Sequence, residues 1–364
     1  MNNPSSNINN SENKDNSVHM MRFGKQQVQH WSVYLTLGII AAVLSVVIIT
    51  LDNSYQDTQD HPVPQLQKSL KQPVFTSEKH AATDNLINKL KQYGMWSDPP
   101  DQNVPRFFIE SYPPDLYAVN DISIKKKVFL HSLLPHALFV RQEALRKRGK
   151  LQVILSKIDC SLQDIDFVDG YEYATRCSWS EFLAEDEVSF IQDLCLNYRT
   201  TSAEILLERV DAVPTSIILA QGALESSWGS SRFTREGNSL FGMWTWKTKG
   251  IVPSKREEGK THKVKVYENV LDSVRAYHLT LNRLEPYTHF RQLRLLTDDP
   301  LVMAEGLSLY SERGEEYVED IKKVIQSNNL QKYDSCSLSD SDLPDFSGPV
   351  KDTSHFNESG KVSL

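Results

Sequence analysis

Four cysteines in 364 residues, Cys160, Cys177, Cys195 and Cys336, are too few and too widely spaced for a zinc site, since no CxxC or CxxxC pair occurs. The histidines do not compensate. His262, His278 and His289 share no ligand spacing, so no metal is expected. Neither common type of glycine-rich phosphate loop is present, and no cofactor is expected. Positive charge is in deficit, with 40 Lys and Arg against 47 Asp and Glu, a formal net charge of −7. That balance excludes a nucleic-acid partner, which would need a basic face. No internal repeat of fixed period appears, so a solenoid or propeller is excluded.

One long hydrophobic run is present. Trp31 to Leu51 carries no charged residue and includes LGIIAAVLSVVII. About 20 apolar residues suffice to cross a bilayer, so 31–51 is expected to be a transmembrane anchor. A cleaved signal core would be shorter and would end at a small-residue site. Arg22 and Lys25 precede the run, while Asp52, Asp57 and Asp60 follow it. Lys and Arg stay on the cytoplasmic side, which places residues 1–30 inside and 52–364 outside. Residues 1–30 and 334–364 are polar and poor in apolar side chains, and both are expected to be disordered tails.

Between the tails the pattern changes several times. Residues 52–103 are rich in polar residues and Pro and read as a linker, within which NLINKLKQY suits a short helix. Residues 104–200 form a helical lead-in region. There, Val128, Leu130, Leu133, Leu134, Ala137, Leu138 and Leu145 recur at helical spacing, with Pro135 expected to kink or divide the helix. Lys125, Lys126 and Lys127 read as a solvated face or, alternatively, a patch for anionic lipid or polymer. Residues 201–333 read as a compact domain. Ser202 and Asn269 are expected helix caps, and Pro214 suits the start of a helix running to about Ser227. Leu240–Trp246 and Lys263–Tyr267 read as two short strands of a small hairpin. The fold class is therefore α+β and mostly helical. If the outer part lies in an oxidising compartment, Cys160 and Cys177 can pair; buried thiols are the alternative.

The chemistry centres on Ala220-Gln221-Gly222-Ala223-Leu224-Glu225-Ser226-Ser227-Trp228-Gly229. Glu225 is the one carboxylate near the end of an uncharged helical segment. Burial disfavours the charged form, so this carboxyl is expected to hold its proton above the usual glutamate range. A protonated carboxyl at neutral pH is the form that protonates a leaving sugar oxygen. Helical spacing places Ile218, Gln221, Gly222 and Trp228 on its face. Gln221 then offers a polar group and Trp228 an apolar wall, while Gly222 leaves room for a ring. The alternative is a solvated carboxylate near a helix end. A two-acid mechanism needs a second carboxyl. Glu257 and Glu258 lie between the expected strands, flanked by Arg256 and Lys260, and an exposed charged loop is the competing reading. Phe241, Trp244, Tyr310 and Tyr317 are nearby aromatics of the kind that face sugars.

Five blocks in order carry a family resemblance: LLERVDAVPTSIILAQGALESSWG, NSLFGMW, GIVPSKREEGKTHKV, VYENVLDSVRAYHLTLN and LYSERGEEYVEDI. Together they resemble the glucosaminidase domain of glycoside hydrolase family 73, and within it the bacterial Bax-type proteins. The upstream KKKVFLHSLLPHALFVRQE resembles the helical lead-in of that group. The resemblance implies a lysozyme-like domain that cuts the β-1,4 link after N-acetylglucosamine. It implies Glu225 as general acid, Tyr310 in the active-site cleft, and a second acid in the hairpin, for which Glu258 is preferred over Glu257. Gln221, Trp228, Phe241, Trp244 and Tyr317 are the expected substrate-binding residues. The expected partners are peptidoglycan glycan strands and, through 31–51, the inner membrane of a bacterium, with the catalytic domain periplasmic. A lytic transglycosylase and a non-catalytic wall-binding module are the alternatives.

Overall fold

The computed structural model describes residues 75–76, 83–98, 102–167, 179–246, 249–254 and 256–339. The expected tail 1–30, the expected anchor 31–51, Cys177 and residues 340–364 lie outside the described residues. Among the described residues, no helix is long and apolar enough to cross a membrane.

In chain order the elements are β1 (Phe75–Thr76), α1 (Thr83–Gln92), β2 (Asn103–Val104), β3 (Phe108–Ile109) and α2 (Ile122–Leu155). Then come α3 (Glu185–Tyr198), α4 (Ala203–Arg209), α5 (Thr215–Ser226), α6 (Arg232–Gly237), β4 (Trp244–Thr245), β5 (Gly250–Ile251) and β6 (Lys263–Lys265). The chain continues through α7 (Val270–Arg283), α8 (Thr288–Leu296), α9 (Pro300–Met303), a 3-10 turn at Ala304–Tyr310, α10 (Glu315–Ser327) and β7 (Ser337–Leu338).

Local chemistry starts several helices where expected. Ser202 Oγ accepts the Ile205 N–H at 3.4 Å, and Asn269 Oδ1 accepts the Asp272 N–H at 2.9 Å. Asp121 caps α2 by accepting from Ser123 and Ile124. Pro135 neither kinks α2 into two elements nor ends it; α2 runs 34 residues, about 50 Å at 1.5 Å per residue. Pro135 is buried, in a helix that packs against α5 and β3.

The helix spans two hydrophobic clusters. Its first half enters the main core, with Leu86 and Leu90 of α1, Ile217 to Ala223 of α5, Val274 and Tyr277 of α7, and Ile321 of α10. Its last turns join a smaller cluster with Ile158, Phe167, Trp179, Phe190, Leu194 and Leu206. The expected boundaries at 103 and 200 therefore separate no cores. Part of the expected linker and the first half of the lead-in are built into the same core as the 201–333 region.

The expected disordered tail begins too early as well. Asp334 reaches the first turn of α5, accepting the Ser216 N–H at 2.8 Å and its hydroxyl at 2.6 Å. β7 pairs in parallel with β2, Asn103 opposite Ser337. Replacing Asp334 by Ala leaves two buried donors at the start of α5, which should destabilise the protein by about 1–3 kcal/mol in urea unfolding.

The expected hairpin is a three-stranded antiparallel sheet, because the connection folds back and contributes β5. The order is β4-β6-β5, with Trp244 opposite Val264 and Gly250 opposite Lys265. Leu240 to Met243 stay outside the strands and form a turn. The lysines at 125–127 are tied down: Lys126 lies 4.7 Å from the Trp228 ring and Lys127 4.7 Å from that of Trp96. Cys160 is disulfide-bonded, and its expected partner Cys177 falls outside the described residues.

Candidate active site

Helix α5 is apolar along most of its length because it is surrounded, and Thr215 to Ala223 are all buried. It ends abruptly. Ser227, Trp228 and Gly229 have φ of 51°, 58° and 76°, three successive left-handed residues that turn the chain away from the helix axis. Glu225 sits in the last helical turn, partly buried. Burial pushes its carboxyl above the usual glutamate range, and a hydrogen bond from Tyr317 partly opposes the shift.

Three buried side chains lead to that carboxyl. Tyr277 on α7 donates to Gln221 Oε1. Gln221 Nε2 donates to Tyr317 Oη at 3.0 Å, and Tyr317 Oη donates to Glu225 Oε1 at 2.6 Å. The phenol of Tyr277 is held well above its ordinary value by burial first, and that of Tyr317 is raised for the same reason, so both stay neutral.

The second carboxyl oxygen faces a turn. A Cβ at Gly242 would lie 3.7 Å from Glu225 Oε2, and Gly242 has φ +63°, so the residue keeps this approach low in bulk. The turn is fastened along its length. Asn238 Nδ2 donates to the carbonyls of Tyr267 and Glu268, and the Leu240 N–H donates to Ser273 Oγ at 3.1 Å. Tyr310 Oη donates to the Phe241 carbonyl at 2.8 Å. The rings of Tyr310 and Tyr317 lie nearly parallel, centroids 5.7 Å apart and planes 5° apart. The arrangement is one shielded carboxyl, with one oxygen bound by a phenol and the other beside Gly242.

Residues 201–330 match the glucosaminidase family, described as mannosyl-glycoprotein endo-beta-N-acetylglucosaminidase. Protein bax of Escherichia coli (strain K12) is 34% identical over 221 residues, covering 59% of this chain and 74% of that protein. The chain belongs to the glucosaminidase family. It is thereby a glycoside hydrolase by family. The peptidoglycan hydrolase FlgJ of Escherichia coli O157:H7 is 28% identical over 152 residues, which is 39% of this chain and 43% of FlgJ. Among solved structures, the catalytic domain of the autolysin Auto from Listeria monocytogenes is 21% identical, covering 39% of this chain and 80% of that one, with a TM-score of 0.27.

Within this glucosaminidase the expected site residues separate into three groups. Glu225, Tyr317 and Tyr310 come together as described, although the Tyr310 hydroxyl is engaged by the Phe241 backbone. Gln221 and Phe241 are inside the protein. Gln221 is 0% exposed and linked to two phenols, and Phe241 is 1% exposed and stacked on Tyr277 at 4.0 Å. Neither presents a surface to a substrate, which corrects their expected binding role.

Trp228 is half-buried. The left-handed residues after α5 carry its ring onto Phe129, edge-on at 6.0 Å, and under Lys126. These contacts pin the helix end to α2. Gly222 makes no room for a sugar. A Cβ there would meet Leu133 at 3.0 Å and Phe129 and Phe241 at 3.4 Å, so its bareness lets α5 approach α2. The third group is outside. Trp244 is 53% exposed, its ring stacked on His262 at 4.4 Å, with Trp246 edge-on at 6.1 Å. Glu257 and Glu258 are both exposed, at a turn where Gly259 has φ +84°. Arg256 donates to the His262 carbonyl at 3.2 Å. Tyr277, which the sequence does not single out, completes the site. Its α7 position carries no local signal, because only the packing of α7 on α5 brings it to Gln221.

Proposed function

We propose that this glucosaminidase cuts peptidoglycan glycan strands at the β-1,4 link after N-acetylglucosamine, with Glu225 as the proton donor. The observation that carries the proposal is the partly buried Glu225 carboxyl, raised by burial and presented beside Gly242. Peptidoglycan as the substrate is supported by the name of the relative FlgJ. Glu225 protonates the glycosidic oxygen as the bond to the sugar carbon breaks, and the positive charge that develops on the sugar is met by water. Glu258, on the exposed turn of the sheet, is the proposed second acid and activates that water when the turn folds over the bound glycan. Tyr310 holds the Phe241–Gly242 turn against the reacting bond. The deciding assay is a zymogram on purified sacculi with the full chain beside Glu225→Gln; clearing by both proteins would end the proposal.

The Trp244 ring and its His262 neighbour offer a flat face to one sugar of the strand. Trp244→Ala should raise KM on soluble glycan fragments about tenfold, the loss of one stacking contact of about 1.4 kcal/mol, while kcat changes little. A second reading is favoured by the exposure of Glu257 and Glu258: a lytic transglycosylase works with one acid and no water. Anhydro sugar ends in the released fragments, found by mass spectrometry, would select it.

The run 31–51 is proposed as an inner-membrane anchor with residues 52–364 in the periplasm. The charge asymmetry around the run and the disulfide at Cys160 support that placement. Release of the full chain from membranes by a carbonate wash would rule the anchor out.

A further inference from the structure

We propose that Tyr277 and Gln221 act as positioning residues that polarise the hydrogen bonds at Glu225, so that Oε1 always accepts from Tyr317 and the transferable proton resides on Oε2, facing Gly242. The inference rests on Glu225 being the acid, and it adds which oxygen acts and what decides it.

A phenol has one proton to give, and a side-chain amide has distinct donor and acceptor ends. Tyr277 is fully buried, and its hydroxyl finds an acceptor in Gln221 Oε1. A buried hydroxyl with no acceptor is costly, so this contact fixes which way the Gln221 amide points. Its NH2 then faces Tyr317 Oη, 3.0 Å away, and occupies that oxygen as an acceptor. The Tyr317 proton has one direction left, toward Glu225 Oε1 at 2.6 Å. The neighbouring phenol of Tyr310 does not compete, since its own proton goes to the Phe241 carbonyl.

The opposite polarity fails on both ends. With the amide reversed, Gln221 would offer its NH2 to Tyr277 and leave the Tyr277 proton unmatched in the core. Tyr317 would then donate to Gln221, and Glu225 would have to donate to Tyr317. That arrangement holds only while Glu225 is protonated and breaks once the proton has left. The observed polarity serves both states. Before reaction, Oε1 accepts from Tyr317 and Oε2 carries the proton. In the step, the Oε2–H bond breaks, the proton passes to the glycosidic oxygen, and the electron pair of the sugar carbon–oxygen bond goes to that oxygen. The carboxylate left behind still accepts from Tyr317. The glycosidic oxygen must therefore approach from the Gly242 side, where a Cβ would stand 3.7 Å from Oε2.

The ionisable groups around Glu225 are the phenols of Tyr277, Tyr310 and Tyr317, all kept neutral by burial. The test follows the Glu225 carboxyl by carbon NMR titration, and activity on sacculi against pH, in the full chain. Tyr277→Phe keeps the ring on Phe241 but frees the amide to turn and take the Tyr317 proton. Glu225 should then titrate higher, the basic limb of the rate profile should move up with it, and kcat should fall about tenfold with KM within about twofold, a partial loss of general-acid catalysis. Tyr317→Phe should shift Glu225 the same way and at least as far. The double variant should match Tyr317→Phe alone, because Tyr277 acts only through Tyr317. A Glu225 titration in Tyr277→Phe equal to the parent's, or shifts that add in the double variant, would overturn the assignment. In the parent itself, the Gln221 amide protons should show nuclear Overhauser contacts to the Tyr317 ring; contacts to Tyr277 in their place would overturn it without any variant. Activity surviving in Glu225→Gln is a different failure, one that removes the acid and not the polarity.

Discussion

Glu225→Gln should lower activity on sacculi by roughly 10²–10⁴-fold, the usual contribution of a general acid, and should at the same time raise the melting temperature at neutral pH. Both effects come from one fact. The site holds a carboxyl whose folded-state pKa lies above its unfolded value of 4.5 because burial penalises the charged form. Between those two values the native protein binds more protons than the unfolded chain, so stability falls as pH rises through the window. Below the unfolded value both states are protonated and nothing is lost. Glutamine keeps an oxygen for the Tyr317 hydroxyl and has no charge to bury, so its unfolding curve should lack that slope. The variant should gain stability over the parent above the ordinary glutamate range, and the gain should fade in acid. Thermal unfolding at several pH values reads it directly. A variant no more stable than the parent at pH 7 would mean that the carboxyl is well solvated. The parent's rate profile should likewise fall as pH rises through the raised Glu225 value.

Gly306→Ala should be the most damaging glycine-to-alanine change among the described residues. Gly306 lies in the 3-10 turn that ends at Tyr310, and a Cβ there would stand 2.3 Å from both N and Cα of Phe290 and 2.8 Å from its Cβ. The two nearest are backbone atoms of α8 and the third is the Cβ fixed to them, so no side chain can rotate aside. The turn and the helix would have to part, opening the core around Phe290, which is 0% exposed. Overpacking of this kind costs about 3 kcal/mol, toward the top of the usual range. Because Tyr310 follows on the same turn, its bond to the Phe241 carbonyl should loosen too, and the Gly242 turn with it. Denaturant unfolding should show a lower midpoint at an unchanged slope, with activity falling further than the unfolded fraction explains.

The carboxyl, the caps and the family blocks were legible because each is a local pattern. A Ser or Asn caps a helix by reaching an amide a few residues away, and Glu225 stands out by being alone in an apolar run. The helical wheel placed Gln221 and Gly222 beside Glu225. It did not say what covers that face. The cover is α2, α7 and α10, from distant parts of the chain, and it turns Gln221 and Gly222 from a cleft lining into a packed interior. Trp228 was misplaced for a different reason: extrapolating the helix to it assumed right-handed dihedrals where three left-handed ones occur.

By itself, the order of residues determined that a lone acid would end an apolar helix, which helices would start where, and which family the chain joins, because capping, periodicity and motif order act over short stretches of chain. Only the tertiary structure decided that Tyr277, Gln221 and Tyr317 would line up behind one oxygen of that acid while Gly242 faces the other. Those contacts join α5, α7 and α10, and burial is a property of the assembled core, so no stretch of chain read alone contains them.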